Sequence, residues 1–190
     1  MSVQMSAQPA RKLFTTAEYH QMLEAGILNE DDRVELIEGE LYEMSPIGSR
    51  HAAAVNRLTE ILGEQLRGIV IVSVQNPIEL SEYSEPQPDL TLLKRRDDFY
   101  SHSHPTPADI LVAIEVSDTT HERDRSLKLP TYAGAGVAET WLVDLFNDRI
   151  EVHSQPAGGI YQEIKIILRD QPLVSKSIPQ LQLKAEDILG

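Results

Sequence analysis

The chain has 190 residues, 41% of them apolar and 25% charged, a composition that fits one globular domain large enough for a real core. Its 17 basic and 30 acidic residues give a net charge of −13, which argues against a protein that coats nucleic acid through a broad basic surface but leaves room for an enzyme acting through a metal and a local basic patch. The absence of cysteine excludes disulfides and thiolate metal sites and fits a reducing cytoplasmic setting.

Residues 1–12 have no apolar core of signal-peptide length, so residues 1–13 are expected to form a disordered tail ahead of a single domain over 14–190. No apolar run approaches the ~20 residues of a membrane span. Thr15 and Glu18 make a capping-box pair, and Tyr19, Met22 and Leu23 follow at helical spacing, which predicts a helix over 16–25 stopped by Gly26. Residues 33–37 and 40–44 read as two short strands joined by a tight turn at Glu38-Gly39. Seven acids crowd between Glu30 and Glu43, Glu35 among them.

Ser49 is placed to cap a second helix, whose apolar stripe is Val55, Leu58, Ile61, Leu62 and Leu66. The β-branched run 69–74 predicts a central strand, with 78–80 as a short continuation beyond Pro77. After a proline-rich loop, residues 89–93 predict a strand entered directly from Pro88. Residues 94–107 form the longest polar segment, expected to be a mobile loop or lid. It contains His102 and His104, which could mimic a metal pair but have no further ligands beside them in sequence.

The run 110–116 is nearly all apolar, of strand length, and carries one acid, Glu115. A carboxylate there is costly unless compensated, and an acid at the carboxyl end of a buried strand is where open α/β sheets place their chemistry. Thr119 and Glu122 form another capping-box signature, predicting a helix over about 120–133, and Gly134-Ala135-Gly136 reads as its stop. A buried strand at 140–143 follows. Residues 149–153 and 160–168 pair across 156–159, and 173–183 is expected to add a last edge strand. The core order is helix, strand, strand, strand, helix, strand, hence a mixed sheet flanked by helices.

If the strands at 89–93 and 110–116 are neighbours, Asp89 and Glu115 meet near one end of the sheet. Two close carboxylates favour a shared proton or a divalent cation, and oxygen-only ligands suit Mg²⁺ or Mn²⁺. The plainer readings are a loop-to-strand acid for Asp89 and a buried acid paired with Lys or Arg for Glu115. Asp124, Lys128 and Tyr132 fall four apart on the next helix. Either Asp124 and Lys128 form a surface pair, or Lys128 points at the carboxylates and stabilises developing negative charge. Pro130 should kink that helix just after Lys128. Spacing alone favours a solvated strand residue for Glu35 and a solvated helix-terminal histidine for His51. No nucleophile elbow, phosphate-cradling glycine loop or dinucleotide fingerprint is present.

The ordered set Pro88-Asp89, Ile114 to Ser117, Asp124/Lys128/Tyr132 and Gly136 to Asp144 resembles the Uma-two family, described as putative restriction endonucleases, within the PD-(D/E)xK nuclease superfamily. The early stretch Glu35 to Leu41, Ser45-Pro46 and His51 also match its pattern, so the resemblance covers residues 14–189. It implies a restriction-endonuclease-like αβββαβ core, Mg²⁺ (or Mn²⁺) dependence, hydrolysis of phosphodiester bonds in DNA, and a homodimer. Carried over, Asp89 and Glu115 hold the metal with support from Glu35, and Lys128 completes the catalytic set. His51, Ser117 and Tyr132 are expected on the substrate side. The superfamily pattern has lysine where this chain has Ser117, so Lys128 must supply that charge from the helix. The alternative is a catalytically inactive nuclease-fold module that binds nucleic acid or protein.

Overall fold

A computed structural model describes residues 11–29, 31–118 and 124–190, residue 124 by its backbone alone. Helix α1, Thr16–Glu24, starts where the capping box predicts: the Glu18 amide donates to Thr15 Oγ1 at 3.1 Å and the Thr15 amide donates to Glu18 Oε2 at 2.9 Å. The hairpin β1, Val34–Ile37, and β2, Glu40–Glu43, turns at Glu38 and Gly39, both at positive φ (50° and 79°) as a two-residue hairpin turn requires. At the end of the expected tail, Arg11 pairs with Glu40 at 2.7 Å and Lys12 with Glu18 at 2.8 Å, which ties residues 11–13 to this unit.

The main sheet has six strands in the order β3-β4-β5-β6-β7-β8: Val70–Val74, Leu90–Lys94, Ile110–Ser117, Glu139–Asp144, Arg149–Ala157 and Ile160–Leu168. Only β5 and β6 are parallel, so the sheet is mixed. One face carries helix α2, Ser49–Gln65, whose Ala54, Val55, Leu58 and Leu62 pack with Leu90, Leu92, Val112, Ile114 and Trp141. The other carries helix α3, Leu129–Ala135, with Leu129, Tyr132 and Ala133 against Ala113, Leu142 and Tyr161. Helix α3 is preceded by a π-helical turn, Asp124–Lys128, so the irregularity expected from Pro130 lies just before it, at Lys128. It stops at Gly136 (φ 81°), whose amide bonds the Ala133 and Tyr132 carbonyls. The Thr119/Glu122 cap lies outside the described residues.

Several expectations are corrected. Strand β3 is an edge strand, not a central one: it pairs only with β4, and four of its five residues are half-buried. Its β-branched composition reflects packing on a pleated surface and says nothing about position in the sheet. Ser49 is the first helical residue of α2; Gly48 is the cap residue and contributes no side-chain bond. Residues 78–80 do not extend β3. They form loop bonds to Pro86, Ser84 and Pro105, with Ile78 and Leu80 buried. Strand β7 runs on through Pro156 and Ala157, leaving Gly158-Gly159 alone as the turn. Residues 173–183 add no strand to the main sheet. Their ends form a small ribbon, β9 (Pro172–Leu173) with β10 (Leu183–Lys184), before a terminal helix α4, Ala185–Leu189. The buried Glu139 carboxylate pins that loop by accepting from the amides of Lys176 (2.9 Å) and Ser177 (3.0 Å) and from Trp141 Nε1 (2.7 Å). No helix among the described residues is long and apolar enough to cross a membrane.

Candidate active site

The antiparallel β4–β5 register pairs Leu90 with Ile114, so the next step out of the ladder sets Asp89 beside Glu115. The Val116 amide confirms the approach by donating to Asp89 Oδ2 at 2.8 Å. The same oxygen lies 2.9 Å from His51 Nε2, carried in the first turn of α2. His51 is therefore a partly buried partner of Asp89, its side chain 16% exposed, and not a solvated terminal residue. Gln75, at positive φ just past β3, donates its backbone amide to the Asp89 carbonyl at 3.0 Å.

Glu35 departs furthest from its plain expectation. Strand β1 buries it, and its Oε2 accepts from the Gln87 amide at 3.2 Å. Lys128 Nζ lies 3.2 Å from that oxygen and 3.2 Å from the Glu115 carboxylate. All three side chains are 7% exposed or less, so the ammonium neutralises two carboxylates deep in the protein, where an uncompensated charge is costly. Lys128 is thus buried and not on the surface; the side chain of Asp124 lies outside the described residues. One helical turn on, the Tyr132 hydroxyl donates a hydrogen bond to Glu115 Oε1.

These groups surround one cavity of about 300 Å³. Its lining includes Glu35, Asp89, Glu115, Asp118, Arg33, Lys128 and His51, so four acidic residues face two basic ones and one histidine. Ser117 and Tyr132 do not line it. Both are fully buried: Tyr132 stands behind Glu115, and Ser117 Oγ has no hydrogen-bond partner among the described residues. Arg50 braces the rim, bonding Asp118 and the Leu145 carbonyl at 2.8 Å each. Sequence reasoning missed Arg33, Gln75, Gln87 and Asp118. Their places follow from loop paths, and no local pattern marks them.

Away from the cavity, a second ionic group fills the α3 side of β7. Glu151 pairs with Arg149 at 2.9 Å, with Arg125 at shorter range and with His153 at 3.2 Å. Burial alone would raise the Glu151 carboxyl, but hydrogen bonds from His153 and Arg125 and the charges of both arginines outweigh it and hold the pKa at about 2. This group is held among its neighbours as a structural support.

The two histidines of the polar loop, which could have mimicked a metal pair, do not fall in one group. His104 lies near His20 and Glu85, and His102 is not part of that group.

Comparison with known proteins agrees with this architecture. No curated protein matches the sequence. A crystal structure of a putative nuclease belonging to DUF820 from Anabaena variabilis ATCC 29413 superposes with a TM-score of 0.71 at 14% identity, covering 93% of this chain and 97% of that one. At that identity the likeness shows the shared fold. The family described as Uma2, putative restriction endonuclease, matches residues 16–186, nearly the whole chain, and the chain belongs to that family.

Proposed function

We propose that the protein is a divalent-metal-dependent endonuclease of the PD-(D/E)xK type, with DNA as its substrate. The observation that carries this reading is the cavity's charge: Glu35, Asp89, Glu115 and Asp118 outnumber Arg33, Lys128 and the Arg50 that pairs with Asp118 at the rim. A phosphodiester anion entering such a site meets net repulsion unless a cation is bound there. The donors fit the ion. Asp89, Glu115 and Glu35 offer carboxylate oxygens only, the hard donor set that Mg²⁺ and Mn²⁺ prefer. A bound ion would polarise a phosphoryl oxygen and lower the pKa of a water.

The chain's own residues do the remainder. The Val116 amide and His51 fix Asp89 Oδ2, and Tyr132 fixes Glu115 Oε1, so neither carboxylate is free to swing. Lys128 pairs with Glu35 and Glu115 at close range and brings a positive charge to the cavity wall, where negative charge develops on the phosphoryl group. It stands in space for the lysine that the superfamily pattern places where this chain has Ser117. His51 Nε2, 2.9 Å from Asp89 Oδ2, lines the cavity beside that carboxylate. The first turn of α2 borders the cavity with no side-chain cap, which suits an anionic phosphate. A homodimer would present two such cavities to the two strands of a duplex.

Plasmid, duplex, single-stranded DNA and RNA incubated with Mg²⁺, Mn²⁺ or EDTA test the reading. Metal-dependent cleavage of DNA is expected, abolished in Asp89→Asn and Glu115→Gln, with folding checked by circular dichroism. No cleavage of any substrate with either metal, or cleavage undiminished in both variants, overturns it. One observation favours a second reading: Lys128 is locked between two acids, as in a structural ion pair. A non-catalytic module that binds nucleic acid or protein would show binding without cleavage in the same assay.

A further inference from the structure

We propose that His20, Glu85 and His104 form a second metal site, apart from the cavity, that takes a transition-metal ion of the Zn²⁺ class. The three residues come from α1, from the loop before β4 and from the polar loop after it, so no local sequence pattern joins them. One donor atom from each lies within 4.8 Å of the others. Among the described residues this is the group of histidines and acids that converges so closely.

The donor chemistry selects the ion. Two imidazoles and one carboxylate are a borderline-soft set, suited to Zn²⁺ and its neighbours and not to the hard Mg²⁺ assigned to the cavity. Metal–donor bonds of about 2.0–2.2 Å place tetrahedral neighbours a little over 3 Å apart. His20 Nε2 already lies 3.0 and 2.9 Å from the two Glu85 oxygens. The His104 ring stands at the third corner, its centroid 6.3 Å from that of His20 and tilted 60°.

Charge and anchoring support the same conclusion. Glu85 is 5% exposed, and among the described residues its ion-pair partner is His20 alone, with no lysine or arginine beside it. A buried carboxylate with so little positive charge around it favours a cation. The backbone on either side is fixed. The Glu85 amide donates to the Leu36 carbonyl at 2.7 Å, and the Pro105 carbonyl, next to His104, accepts from the Glu79 amide at 2.9 Å. Leu36 follows Glu35, and Gln87, which holds Glu35, lies two residues beyond Glu85. An ion here would therefore staple α1 and the long loop to the wall of the cavity without entering it.

The inference does not depend on nuclease activity. Metal-stripped full-length protein is titrated with Zn²⁺ by calorimetry and with Co²⁺ by visible absorption, which reports tetrahedral nitrogen and oxygen ligation. One equivalent is expected to bind the wild type, to raise its unfolding midpoint and to give intense visible Co²⁺ bands. The same equivalent should bind Asp89→Asn/Glu115→Gln, in which the cavity is disabled. Affinity should fall at least tenfold in His104→Ala and in Glu85→Gln, and stay unchanged in His102→Ala. His104 lies on the loop, so its variant keeps the fold and carries the test if changes at His20 or Glu85 impair folding. Equal binding by wild type and His104→Ala, binding lost only in the cavity variant, or no binding at micromolar Zn²⁺ overturns the site and leaves a simple His20–Glu85 ion pair.

Discussion

Replacing Lys128 by methionine keeps most of the side-chain volume and removes the ammonium that two acids share. Nζ lies 3.2 Å from both Glu35 and Glu115, whose side chains are 2% and 3% exposed. Breaking a buried ion pair by deleting one partner costs roughly 3–5 kcal/mol, because the remaining charge stays in a poor solvent. At about 2–4 °C per kcal/mol for a chain of this size, the unfolding midpoint at pH 8 should fall by roughly 6–20 °C. Excess Mg²⁺ should restore part of the loss at pH 8, because a bound cation takes over the neutralisation. Adding Glu35→Gln to Lys128→Met should also recover part of it. Thermal unfolding of the wild type and both variants at pH 8, with Mg²⁺ or EDTA, reads all of this. A Lys128→Met protein within about 1 kcal/mol of wild type at pH 8 would show that the ammonium is not neutralising the pair, and the electrostatic account of the site would fail with it.

Three further outcomes follow from named contacts. Tyr132→Phe removes a buried hydrogen bond to a charged acceptor. Stability should fall by about 1.5–3 kcal/mol in urea, and cleavage should drop with substrate affinity unchanged; unaltered cleavage would deny Tyr132 a positioning role. The Glu151 carboxyl, held at about 2 against an ordinary 4.5, lends stability that is fully present above pH 4.5 and is lost as pH falls through 2. Glu151→Gln should therefore be less stable by about 3 kcal/mol at pH 7, with the gap closing between pH 4.5 and 2 in denaturant titrations; a pH-independent gap contradicts this. Gly39→Ala sets a Cβ 2.6 Å from Leu13 Cβ at a φ of 79°, so a loss of about 1–3 kcal/mol is expected by chemical denaturation. A neutral effect would mean that residue 13 yields without cost.

The scaffold was legible where the physics is local. The Thr15/Glu18 box, the Glu38-Gly39 turn, the α2 stripe and the Gly136 stop are set by neighbours within four residues, and they stand where the pattern puts them. Sheet position is a long-range property, so β3 read as central although it lies at the edge. The 173–183 region read as one strand, yet its Leu173, Leu181 and Leu183 are buried from a loop and a ribbon. At the candidate site, alternation along β4 and β5 brings Asp89 to Glu115 only once the two strands are neighbours, as they are. Spacing could not reveal that Glu35 is buried, because that depends on the loop at Gln87 folding back over β1. For the same reason His20 and Glu85 gave no signal as partners of His104, since three separate segments meet only in the folded chain.

The claim that the cavity carboxylates hold a divalent cation is tested most directly by titrating the protein with Mn²⁺ and following free Mn²⁺ by electron paramagnetic resonance. The wild type and His104→Ala should bind the ion alike, and Asp89→Asn and Glu115→Gln should each weaken binding at least tenfold. Binding that is indifferent to both carboxylates, or absent from the wild type at millimolar Mn²⁺, would contradict the account.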